Sequence, residues 1–190
     1  MSPAAIHVVG SINIDHVYRV ARLAEAGETL HALGYATSLG GKGANQAIAA
    51  ARAGASVHMI GAVGVDGAWA RERLAAEGIG IDGIDVLEGT TGHARIEVDD
   101  RGENRIVLLA GANQCLVSAS IRRALSRARP GDWLVLQNET TQVTETAALG
   151  RTLGMTVAYS AAPFVAEAVA SVLPHVDLLA VNEIEAAQLR

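Results

Sequence analysis

Residues 39–55 read LGGKGANQAIAAARAGA, a glycine cluster around one lysine in front of an alanine-rich run. Gly40, Gly41 and Gly43 surround Lys42, Asn45 follows, and Gly54 closes a segment (44–53) of good helix formers. Glycines at a helix N-terminus leave backbone N–H groups open to close approach, while Lys42 adds a cation and Asn45 both a donor and an acceptor. Such a set suits a polyhydroxylated ligand. It is not a P-loop, because GxxxxGK[ST] needs Ser or Thr after the lysine and Gly43 stands there. The dinucleotide fingerprint GxGxxG is also absent after the first strand. On spacing alone, a glycine turn joining a strand to a helix explains the stretch equally well.

Composition restricts the ligand further. The 190 residues are 50% hydrophobic, enough for one domain with a real core, or most of one. The net charge is −5 and the 15 Lys and Arg are scattered, so nothing recommends nucleic acid or an anionic membrane as partner. A neutral sugar fits better. Cys115 is the only cysteine and the six His form no HExxH, which argues against a disulfide framework and against a Cys-based or helical zinc site. MSPAAIHVVGSIN lacks the form of a secretory leader, and no apolar run reaches membrane-spanning length, so a cytoplasmic location is expected.

The elements that must hold these residues alternate. IHVVG (6–10), VHMIGAVG (57–64), WLVLQ (133–137), TVAYSA (156–161) and DLLAVN (177–182) read as buried strands. Helices are expected at 44–53, at 66–78 with Trp69, Ala70, Arg73 and Leu74 along one stripe, and at 118–132 with a Ser cap and Ile121, Leu125 and Ala128 facing inward. Together they predict an α/β fold with a mostly parallel sheet of about six strands, covered on both faces. Segments 15–20, 28–39, 94–100 and 104–111 alternate with period near 2 and predict a small half-exposed β-sheet, with DDRGEN (99–104) as a hairpin. These excursions, within 15–39 and 92–110 of a single 1–190 domain, are placed to form a lid over the strand ends.

With those elements set out, GGKGANQAIAAARAGASVHMIGAVG resembles the first signature of the ribokinase (PfkB-type) family of sugar and nucleoside kinases, from Gly40 through Gly54 to Gly64. GSINIDHVYRV, AGET (26–29), GVDGAW (64–69), RGENRIVLLAGAN (101–113), LQNE (136–139) and VNEIEAAQL (181–189) resemble family segments in the same order, over essentially the whole chain. The resemblance implies a three-layer αβα sandwich with a β-sheet lid, and ATP-dependent phosphorylation of a sugar, ribose at its primary hydroxyl before others. It implies sugar contacts from Asn13, Asp15, Gly41, Lys42, Gly43, Asn45 and Glu139. Asn182 would reach the nucleotide, and Glu185 would act indirectly on Mg²⁺ and phosphate. ATP and Mg²⁺, with a monovalent cation such as K⁺, are the implied cofactors, and a homodimer through the lid strands the implied assembly.

Plainer readings of the same residues stand beside these. Asp15 serves as a turn cap, Glu139 in NETTQ as a helix N-terminal acid, and Asn182 with Glu185 as a capping-box pair. The sequence also departs from the resemblance. The family's DTxGAGD signature, with its anion hole and catalytic aspartate, is absent, so no catalytic base is expected within these 190 residues; it is expected beyond Arg190. Ser160 stands in SAAP where Asn is usual, and His93 and Arg95 occupy lid positions where apolar residues are common. The alternatives are an inactive sugar-binding or dimerising fragment, or a kinase for another sugar or nucleoside.

Overall fold

The computed structural model describes residues 3–189. Six strands, β1 (Ile6–Val9), β4 (Val57–Gly64), β5 (Gly80–Leu87), β8 (Trp133–Gln137), β9 (Thr156–Ser160) and β10 (Leu178–Ala180), form one sheet in the order β10-β9-β8-β1-β4-β5. Every pairing in it is parallel. Parallel strands need crossovers that lie on the faces, so the inner strands bury both sides and read as continuous apolar runs. Val8 packs with Met59, Ala44, Ala47 and Leu74 beneath α1 (Lys42–Arg52) and α2 (Ala68–Ala76). Val9 packs on the opposite face with Ile60, Leu134, Leu136 and Ile121, beneath α3 (Ser118–Ala124), α4 (Val143–Thr152) and α5 (Ala166–Val172). The result is the three-layer αβα sandwich.

From β1 the chain first builds outward to β4 and β5, then crosses back to place β8, β9 and β10 on the other side. The strand order therefore reverses at β1 and β8, whose following helices cover opposite faces. Open α/β sheets bind ligands in the crevice outside the C-terminal strand ends at such a reversal.

A second sheet has the order β3-β2-β6-β7, from β2 (Asn13–Arg19), β3 (Gly34–Gly40), β6 (Gly92–Val98) and β7 (Asn104–Leu109). β2 pairs antiparallel with β3 and parallel with β6, which joins the two excursions. The 99–104 turn is held by the Asp99 carboxylate, which accepts from Arg101 N (2.8 Å) and Glu103 N (3.0 Å).

Several expectations need correction. β5 was not foreseen, because the glycines and acids of GIDGIDVL interrupt the apolar run that marks an inner strand; it is an edge strand. β2 starts at Asn13 rather than Asp15, and 28–33 precedes the strand that begins at Gly34. The 66–78 helix is a 3₁₀ turn followed by α2, with Ala70 and Leu74 buried but Trp69 at the surface. The 118–132 helix stops at Ala124 and passes into a 3₁₀ turn at Leu125–Arg127. Ser118 does not cap it; its hydroxyl donates to Gln142 Oε1 (2.6 Å), and Val117 is the N-cap.

Candidate functional site

Ser11 and Glu139 follow β1 and β8, at the reversal of the sheet. The Ser11 hydroxyl donates to Glu139 Oε2, and the same carboxylate oxygen accepts from Lys42 N at 3.2 Å. Lys42 Nζ lies 3.2 Å from Glu139 Oε1. Two further backbone donors close this ring: Gly43 N to Ser11 Oγ (3.4 Å) and Ala44 N to Ser11 O (3.0 Å). Glu139 thus sits where the positive end of α1 meets β8, stabilised by the Lys42 N–H, the Ser11 hydroxyl and one ammonium.

Glycine is required for that approach at two positions. Gly41 has φ +93°, and a Cβ there would lie 2.6 Å from Ser11 O. A Cβ on Gly43 would lie 2.7 Å from the Gly10 carbonyl carbon. Any side chain at either would push α1 away from β1.

The second half of the site comes from the small sheet. Asn13 and Asp15 point to one face of β2, as period 2 demands. Their cross-strand partners, Gly40, Ser38, Gly92 and Ala94, are all small; the room a side chain would take at Gly40 holds the Asp15 carboxylate, and at Gly92 the Asn113 and Asn13 amides. Asn13 is buried and oriented by Asn113, whose Nδ2 donates to Asn13 Oδ1 (2.8 Å) while its Oδ1 accepts from Ile12 N (3.0 Å). Asp15 is half-buried, and its carboxylate has no hydrogen-bond partner among the described residues. Its carboxyl is raised above its ordinary value, first by burial and then by the charge of Glu139, with His16 opposing. Two carboxylates, a lysine and an amide therefore converge, with acceptor capacity at Asp15 that the protein leaves unused. That arrangement fits a ligand rich in O–H groups.

Farther along the same edge, Asn182 caps α6 (Glu183–Gln188). Glu185 N donates to Asn182 Oδ1 (2.8 Å) and Asn182 N to Glu185 Oε2 (2.9 Å), a complete capping box. β10 lies two strands from β8, which puts this pair about 10 Å from Glu139 along the sheet, in steps of about 4.8 Å.

Residues 4–190 match the family described as pfkB family carbohydrate kinase. The chain belongs to that family. It is 39% identical over 185 residues to ribokinase of Haemophilus influenzae, covering 94% of this chain and 60% of the relative, and 40% identical over 144 residues to ribokinase of Schizosaccharomyces pombe, covering 70% and 45%. The structure superposes on ribokinase from Cryptococcus neoformans in complex with ADP, with TM-score 0.80, 35% identity and coverage of 98% and 61%. It also superposes on Arabidopsis thaliana ribokinase complexed with ribose and ATP, with TM-score 0.83, 27% identity and coverage of 100% and 63%. The chain covers 60% of the Haemophilus, 61% of the Cryptococcus and 63% of the Arabidopsis protein, and 45% of the Schizosaccharomyces one.

Within this pfkB fold, Asn13, Asp15, Gly41, Lys42, Gly43 and Glu139 gather at one crevice. Asn45 lies in the second turn of α1, exposed; its N–H donates to Gly41 O (2.9 Å), and its side chain joins no hydrogen bond of the crevice among the described residues. The plainer readings fare differently. Asp15 is in a strand and caps no turn. Glu139 is not in the first turn of α4, which begins at Val143 after Gln142 in a left-handed conformation (φ 63°). Asn182 and Glu185 do form the capping box. Sequence reasoning missed Ser11 and Asn113, which orient Glu139 and Asn13 across 128 and 100 residues of chain. The only signal for Asn113 was a polar residue closing an apolar strand in LLAGAN.

A magnesium cage is not built here: among the described residues no group of three or more His, Cys, Asp or Glu is arranged to hold a metal, and Glu185 is engaged by the Asn182 backbone. Among the same residues no helix is long and apolar enough to cross a membrane.

Proposed function

We propose that this chain carries the sugar-binding part of an ATP-dependent carbohydrate kinase whose acceptor is a pentose, D-ribose first. The observation that supports it most is Asp15, a half-buried carboxylate without a protein partner, facing the crevice that Glu139 closes. In this reading Asp15 and Glu139 accept hydrogen bonds from sugar hydroxyls, and the Asn13 amide is held in register by Asn113. Lys42 and Ser11 fix Glu139, and Gly41 and Gly43 let the sugar approach the start of α1. Asn45 sits on the outer side of that turn. ATP is the phosphoryl donor, its phosphates on the Asn182 and Glu185 side of the edge. Mg²⁺ travels with those phosphates, since Glu185 alone offers no cage.

The small sheet acts as a lid over the sugar. It also presents Ile106, Val107, Leu108 and Leu109 on the exposed edge strand β7, a row suited to a second copy of the chain. Sedimentation at rising concentration tests that homodimer.

Calorimetric titration of D-ribose, with D-fructose and adenosine as comparators, tests the sugar assignment. Asp15→Ala is expected to weaken ribose binding by more than about tenfold, or roughly 1.4 kcal/mol. Unchanged affinity would remove Asp15 from the site, and tighter binding of adenosine would make the chain a nucleoside-kinase relative instead.

A further inference from the structure

At the opposite edge of the parallel sheet, the N-terminal strand ends open into a groove of about 620 Å³. Its floor is His7 on β1, with His58 on β4 and Gly80 and Gly83 on β5; its wall is the end of α3 and the segment after it, including Arg127, Arg129 and Asp132. The small residues Gly80, Gly83 and Ala124 keep it open. No part of the sugar crevice lines it.

The polar groups of this groove are unevenly satisfied. Asp132 is buried and accepts from Ala5 N (2.9 Å) and Arg129 N (2.8 Å). Arg123 is paired with Asp85 at 2.8 Å. Asp82 lies exposed at the rim. His7 is only 5% exposed, yet neither ring nitrogen has a hydrogen-bond partner among the described residues. Its Nε2 lies 3.4 Å from Asp132 Oδ2, a long contact beside a carboxylate. The exposed ring of His58 stacks on it with centroids 5.1 Å apart. A buried imidazole always carries at least one N–H, and the Asp132 carboxylate lies within reach of this one, which leaves the exposed His58 ring as the imidazole open to the groove. Arg127 and Arg129 bring two guanidinium groups to the same groove, and neither has an ion-pair partner among the described residues. Arg122 and Arg123 complement the C-terminal end of α3, whereas Arg127 and Arg129 lie beyond its last turn.

We propose that this groove is a second ligand site, taking a small phosphorylated anion between His58, Arg127 and Arg129, with the enclosed His7 ring beneath His58. Phosphoryl oxygens are the acceptors that planar guanidinium and imidazole N–H donors match. The groove is larger than one phosphate, which favours a ligand carrying two anionic groups or a phosphate on an organic body.

Inorganic pyrophosphate, titrated calorimetrically into the wild-type chain, tests the site. Binding is expected, with the His7 and His58 imidazole resonances shifting as the ligand is added. Arg127→Ala/Arg129→Ala removes two exposed, unpaired side chains and is expected to keep the far-UV dichroism of the wild type while weakening pyrophosphate about tenfold or more. Lys42→Ala, at the sugar crevice, is expected to leave that affinity unchanged. Absence of binding, indifference to the arginine pair, or loss on Lys42→Ala would each overturn the proposal; the last would put the anion at the sugar edge. Orthophosphate in the same titration separates the two forms of the ligand: weaker binding than pyrophosphate supports a two-anion ligand, and equal binding supports a single phosphate at the arginines. None of these outcomes depends on ribose binding, so the sugar assignment stands or falls separately.

Discussion

Asp15 and Asp132 sit at opposite ends of the same molecule, and the protein treats their charges in opposite ways. Asp132 is buried at the N-terminal edge, where burial alone would raise its carboxyl; hydrogen bonds from Ala5 and Arg129 and the nearby His7 outweigh that and hold it below its ordinary value. Asp15, at the C-terminal edge, receives no such bonds and is raised by burial and by Glu139. An acid surrounded by donors belongs to the fold. An acid left without them, in a crevice where the sheet reverses, is available to a ligand, and its unfavourable environment is stability given up for binding.

Replacing each aspartate tests this contrast directly. Asp132→Ala strands two part-buried N–H groups, at Ala5 and Arg129, and is expected to destabilise the chain by about 3 kcal/mol, seen as a lower urea midpoint. A loss under about 1 kcal/mol would make Asp132 as dispensable as a surface acid and erase the contrast. Gly41→Ala comes next: the +93° backbone and the Ser11 carbonyl together are expected to cost about 2 kcal/mol and to reduce sugar affinity, because α1 and Lys42 must shift. Wild-type stability in that variant would show that the start of α1 yields easily. Asp15→Asn carries the smallest stability effect and the opposite sign. Its midpoint is expected at or above wild type while ribose affinity falls, and a clear loss of stability would place Asp15 with Asp132 as a structural group.

The two acids also separate by pH. Asp132 has a depressed folded pKa, so its contribution is present above the unfolded value near about 3.9 and is lost as pH falls through the folded value. Asp15 has a raised one, so stability is lost instead as pH rises from the unfolded value through the folded value. Denaturation midpoints measured across the acid range are therefore expected to show Asp15→Asn gaining on wild type as pH rises through that window, and Asp132→Asn matching wild type only at the acid end. Parallel pH profiles would contradict both assignments.

Much of the frame was readable because it is local. Short apolar runs such as IHVV and WLVLQ, bounded by turn residues, read as inner strands, and Gly40–Gly43 before an alanine-rich segment reads as a tight entry to a helix. β5 escaped because its glycines and acids suit an edge strand, where one side needs no partner. The helix from Ser118 stops at Ala124, short of 132, because a run of helix-forming residues says nothing of where tertiary contacts turn it into a 3₁₀ segment. Asn182 and Glu185 were legible as a capping box because that device spans only three residues.

The sequence by itself determined the layers, the glycine turn, the two β excursions and the membership of Asn13, Asp15, Lys42 and Glu139 in one likeness. Tertiary structure decided what those residues meet. Ser11 reaches Glu139 and Asn113 reaches Asn13 over separations of 100 residues or more, distances no periodicity encodes. The same holds for His7 and Arg127, which only the packing of α3 against β1, β4 and β5 brings to one groove. Hydrogen bonding and charge act over a few ångströms of space, and chain order fixes that space only after the sheet has set its strand order.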